Sequence, residues 1–67
     1  MEQKIYELVT EEEYKINYNS YLKQVTVNSW DKDECKRILG KLHDLGVNCG
    51  EPEYDDIYEL WDIPILS

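Results

Sequence analysis

The chain has 67 residues and 8.0 kDa, and its 15 Asp and Glu against 7 Lys and Arg leave a formal charge of −8 near neutral pH. A chain of about 60 residues buries only about 60% of its extended surface, which leaves little for both a core and an enclosed catalytic cavity. A field of this sign opposes direct binding to DNA, RNA or an anionic membrane and attracts basic partners. One small domain over residues 1–67, with a flat functional surface and no enzymatic activity, is the expectation.

Residues Lys4 to Val9 are rich in β-prone side chains and read as a first strand. The triplet Glu11-Glu12-Glu13 that follows reads as a solvated turn or a short helical turn, with an extension of the acidic surface of the second half as the alternative. Tyr14, Ile16 and Tyr18 then alternate with Lys15 and Asn17, and Val25 and Val27 alternate with Gln24 and Thr26, which predicts a hairpin. A two-residue turn at Asn19-Ser20 would set Tyr18 opposite Tyr21 and Tyr14 opposite Val25, and would leave Lys23 among the apolar side chains.

Cys35, Ile38, Leu39, Leu42 and Leu45 recur at three- and four-residue intervals and predict a helix over about 32–45. Asp31 is its expected N-cap, with Glu34 completing a capping box and Trp30 and Cys35 a hydrophobic staple. Gly46 supplies the left-handed residue of a Schellman stop with Val47 reaching Leu42. Val47 to Asp56, with a Gly, a Pro and an Asn, reads as a loop, and Ile57 to Ile65 reads as a last strand with Pro64 near its end. These elements make an α+β fold: a small, mostly antiparallel sheet of three or four strands, in the order β-β-β-α-β, with one helix packed on one face. No internal repeat is visible.

The N-terminus shows neither a basic n-region nor an apolar run, and no stretch approaches the roughly 18 apolar residues of a membrane span, so a cytoplasmic location is expected. Cys35 and Cys49 are too few for a disulfide framework and are expected as free thiols. With His43 they fall short of the four ligands of a structural zinc, so no metal or cofactor is expected. His43, the single histidine, has no recognisable nucleophile or orienting partner and suits a structural role near the helix end.

Charge is the most informative feature. Residues 42–67 contain Asp44, Glu51, Glu53, Asp55, Asp56, Glu59 and Asp62 and no Lys or Arg, whereas residues 1–41 hold all seven cations and eight acids. Asp31, Asp33 and Glu34 are accounted for by the positive end of the helix. Between Glu51 and Asp62 the acids alternate with Tyr54, Tyr58 and Trp61, pairing carboxylates that steer a basic partner with aromatic side chains that anchor interfaces. Glu51, Glu53, Tyr54, Asp55, Asp56, Tyr58, Glu59 and Asp62 are therefore the candidate partner-binding residues. Carboxylates two apart on a strand stand roughly 6.6 Å from one another, a pitch suited to replacing backbone phosphates.

In size and charge, though in no specific motif, the chain resembles the small acidic inhibitors used by bacteriophages and mobile elements, including anti-CRISPR, anti-restriction and uracil-DNA glycosylase inhibitors. That resemblance implies a nucleic-acid mimic that occludes the basic surface of a nuclease or other nucleic-acid-binding enzyme. An antitoxin or immunity protein for a basic toxin shares these electrostatics. A non-catalytic accessory module, pairing through its aromatic last strand with another chain or with itself, is the remaining expectation.

Overall fold

The computed structural model describes residues 2–66, which form α1 (Glu2–Glu12), β1 (Ile16–Asn19), β2 (Gln24–Val27), α2 (Lys32–Asp44), β3 (Glu53–Asp55) and β4 (Leu60–Pro64). The four strands make one antiparallel sheet in the order β1-β2-β4-β3. The α+β class is as expected, but the element order is α-β-β-α-β-β and two helices are present rather than one.

Residues 4–9 belong to a helix because their apolar positions follow a helical period. Ile5, Leu8 and Glu12 point inward while Glu2, Glu7 and Glu11 stay outside. This stripe outweighs the local β propensity of Ile5, Tyr6 and Val9, because a strand would send Ile5 and Leu8 to opposite faces. Glu13 and Tyr14, at φ 44° and 67°, then reverse the chain into β1.

Helix α2 forms where predicted. Asp31 caps it by accepting a hydrogen bond from Asp33 N at 2.9 Å, while Glu34 turns to Arg37 instead of closing a capping box. Trp30 stays largely exposed rather than forming a shielding staple. At the other end Val47 N donates to Leu42 O and Gly46 N to His43 O, the two bonds of a Schellman stop. Gly46 sits at φ 78° with nothing within 4 Å of an added Cβ, so Gly46→Ala meets only backbone strain. Its expected cost is about 1 kcal/mol, read from urea unfolding.

The first hairpin has a four-residue loop, and this corrects the predicted register. Tyr18 pairs with Val25 and Ile16 with Val27. Lys23 lies in the loop at φ 52°, outside the apolar row, and Tyr14 precedes the strand and is 93% exposed. Asn19 Oδ1 accepts from Tyr21 N and Leu22 N, both at 3.0 Å, which holds the loop. The second hairpin repeats this geometry 36 positions later: Asp55 Oδ1 accepts from Ile57 N and Tyr58 N, and Glu59 takes φ 55°. Tyr54 pairs with Trp61 as Tyr18 does with Val25. The predicted last strand over 57–65 is thus shortened to Leu60–Pro64, and the predicted loop over 47–56 contains β3. The repeat was invisible in the sequence because Tyr18 and Tyr54 alone are identical between the two loops and their flanks.

Ile5, Leu8, Ile16, Val25, Val27, Cys35, Ile38, Leu42, Val47 and Ile63 form the core between both helices and one face of the sheet. Gly50 lets the chain after α2 press on β4: its N–H donates to Pro64 O at 2.9 Å, and a Cβ there would stand 2.8 Å from Pro64 Cγ.

Candidate functional site

Strand alternation divides the side chains of the sheet between two faces. Ile16, Tyr18, Val25, Val27, Trp61, Ile63 and Tyr54 point toward the helices, and the alternate positions point away. Among the described residues no helix covers the second face. A row of side chains crosses it in strand order: Asn17, Thr26, Asp62 and Glu53. Thr26 Oγ1 donates to Asp62 Oδ1 at 2.9 Å, which fixes that carboxylate while Glu53 stands directly across from it. Like charges facing one another across a strand pair are destabilising. The sheet therefore carries an electrostatic cost on this face that its core does not require.

The eight candidate residues do not all come together. Glu53, Asp55 and Asp62 share the helix-free face, and Asp56, Tyr58 and Glu59 lie at the adjoining loop, with Tyr58 74% exposed. Glu51 and Tyr54 fall on the other side. Glu51 lines a cleft with Lys32, Lys36, Leu39, Pro52 and Trp61, and the Tyr54 ring packs on Trp61 with centroids 5.2 Å apart. Asp55 has a structural role as well, since its carboxylate holds the loop.

Trp61, one more aromatic of the acidic alternation in the sequence, has a structural role in the fold. Its indole N–H donates to Trp30 O at 3.2 Å and its ring supports Tyr54. The signal for this role is the cross-strand pair of Tyr54 and Trp61, which the loop-like composition of residues 47–56 hides.

The glutamate triplet follows the helical-turn and solvated-turn expectations in part: Glu11 and Glu12 close α1 and Glu13 lies exposed in the turn after it, but Glu12 is buried. Glu12 is 6% exposed and accepts from Arg37 Nη1 at 2.9 Å, Arg37 Nη2 at 2.8 Å and Lys41 Nζ at 2.6 Å. Glu34 also engages Arg37, and Glu11 lies 3.7 Å from Lys41. Hydrogen bonds from Arg37 and Lys41 hold the Glu12 carboxyl at about 2, well below the ordinary value, against the opposing effect of burial. This network ties α1 to α2 and places Arg37 and Lys41 among the helices. The second hairpin, by contrast, contains no Lys or Arg.

Burial pushes both thiols up, so Cys35 and Cys49, both free, are poor nucleophiles. His43 is exposed at the end of α2, where its carbonyl serves the Schellman stop. Among the described residues no group of three or more His, Cys, Asp or Glu is placed to hold a metal ion, and no helix is long and apolar enough to cross a membrane. No protein-family model, curated protein or solved structure matches the chain.

Proposed function

We propose that this protein binds a basic, nucleic-acid-handling protein through the helix-free face of its second hairpin and inhibits it by stoichiometric occlusion, without catalysis. The observation that carries the reading is the gathering of Glu53, Asp55 and Asp62 on one open face, with Asp56 and Glu59 at its end. Four of the seven cations, Lys32, Lys36, Arg37 and Lys41, belong to α2 on the other side of the sheet. A negative surface of this kind raises the encounter rate with a basic groove and selects against acidic partners. Tyr58, and Ile57 at 82% exposure, supply apolar contact beside the carboxylates.

The test uses purified protein to capture partners from bacterial lysate, followed by binding measurements with the captured enzyme. Capture is expected at about 50 mM salt and release at about 500 mM, because exposed charges are screened over distances that shrink with ionic strength. The variant Glu53→Gln, Asp56→Asn, Glu59→Gln, Asp62→Asn should bind at least tenfold more weakly and cease to inhibit. Asp55 is left in place because it holds the loop, and Asp62→Asn retains an acceptor for Thr26. Inhibition that survives all four substitutions would overturn the reading.

A further inference from the structure

The hydrogen-bond pattern of the sheet determines which backbone groups of β3 are free. Ile65 N donates to Lys23 O within the register that joins β2 and β4. Antiparallel alternation then turns the backbone groups of Trp61 and Ile63 toward β2, and those of Leu60 and Asp62 toward β3. Glu53 and Asp55 answer Asp62 and Leu60, which leaves the N–H and C=O of Tyr54 pointing away from the sheet at its edge. The other edge, β1, is overlaid by α1, with Tyr6 stacked edge-on against Tyr18 at 5.4 Å.

The two faces of the β3 edge differ in chemistry. On the helix-free side Glu53 and Asp55 flank the open position, with Asp62 behind them. On the helix side the Tyr54 and Trp61 rings form an apolar shelf, and the cleft beside it is lined by Leu39 and Pro52 and rimmed by Lys32, Lys36 and Glu51, charges of both signs. A strand added here would turn alternate side chains to these two surfaces. Carboxylates favour Lys or Arg on the first, while the shelf of Tyr54 and Trp61 with Leu39 and Pro52 favours an apolar residue on the second. A second copy of β3 does not fit. Paired about Tyr54, it would set Glu53 of each copy against Asp55 of the other, a like-charge contact of the kind that keeps edges from self-association.

We propose that the β3 edge takes up an extended basic-apolar-basic segment of the partner as a fifth strand, hydrogen-bonded to the backbone of Tyr54. This rests on the preceding reading for the basic character of the partner, and adds to it the conformation and side-chain order of the bound segment.

The probe is a fluorescein-labelled peptide of alternating Arg and Val, compared with the same peptide N-methylated at each Val, which keeps every charge and removes the donors facing Tyr54. Anisotropy with the full chain at about 50 mM salt reads affinity, and amide exchange of the ¹⁵N-labelled chain reads protection at Tyr54. The proposal expects binding of the first peptide, at least tenfold weaker binding of the methylated one, and Tyr54 exchange slowed at least tenfold. Glu53→Lys, at an exposed side chain, should weaken the first peptide about tenfold. Equal binding of both peptides with unchanged Tyr54 exchange overturns strand addition and leaves the acidic-surface reading standing. Binding of neither peptide overturns both.

Discussion

Ile38→Ala is expected to lower the stability of the domain by about 3 to 4 kcal/mol, the amount typical of removing a fully buried Ile and leaving part of the space empty. Ile38 lies in the middle of α2 with no exposed surface, and α2 is the helix that packs on the two central strands, β2 and β4. The lost side chain also served Val25, Val27 and Ile63 in the same cluster. A domain of this length has a total stability of only about 3 to 10 kcal/mol, so the variant should be partly unfolded at 37 °C. Urea unfolding followed by circular dichroism measures the effect. Ile57→Ala provides the contrast: Ile57 is 82% exposed in the second hairpin loop, and its loss should change stability by less than about 0.5 kcal/mol. A loss below about 1 kcal/mol at Ile38 would mean that α2 does not pack on the central strands as described.

The parts of the fold that could be read from the sequence were those stated by a local signal. Helix α2 carries its own stripe, N-cap and Schellman stop within residues 31–47, and each appears where the spacing put it. The central strands were legible as alternation, and Val25, Val27 and Ile63 are indeed interior. Three features failed because their evidence was not local. Ile5, Tyr6 and Val9 favour a strand by type, and only the burial of Ile5, Leu8 and Glu12 together makes α1. Asn19-Ser20 looks like a tight turn, yet the left-handed residue that closes the loop is Lys23, a type that seldom announces such a conformation. The same geometry at Glu59 broke the predicted last strand and hid β3.

The candidate site shows the same division. That the second half is acidic follows from composition, but the separation of Glu51 and Tyr54 from Glu53, Asp55 and Asp62 depends on the parity of a strand only three residues long. A shift of one residue in its register would have exchanged the two sets. The most tightly held acid, Glu12, lies in a triplet whose members look equivalent on paper, and the helical period singles it out because four residues separate it from Leu8. Acids that look alike in the sequence thus serve three purposes: Glu12 joins helices, Asp55 closes a loop, and Glu53 and Asp62 face solvent on the open sheet.

Glu12→Gln is expected to destabilise the protein by about 2 kcal/mol at pH 7, and to remove a large part of its acid sensitivity. The Glu12 carboxyl is lowered from 4.5 to about 2 on folding. At about 1.4 kcal/mol per pH unit that displacement corresponds to about 3.5 kcal/mol. The Arg37 and Lys41 side chains are 36% and 37% exposed, so solvent screening reduces the figure to about 2. A carboxyl that holds its proton less tightly when folded stabilises the fold fully above its unfolded pKa, and this contribution is lost as pH falls from 4.5 toward 2. The difference between wild type and Glu12→Gln should therefore be about 2 kcal/mol at pH 6 to 7, shrink below pH 4.5, and nearly vanish near pH 2. For a domain of this size that is a melting temperature lower by roughly 8 to 16 °C at neutral pH. The remaining carboxylates titrate in both proteins, so thermal melts of the pair across pH 2 to 7 isolate Glu12. Parallel stability curves over that range would show that the carboxylate does not tie α1 to α2 through Arg37 and Lys41.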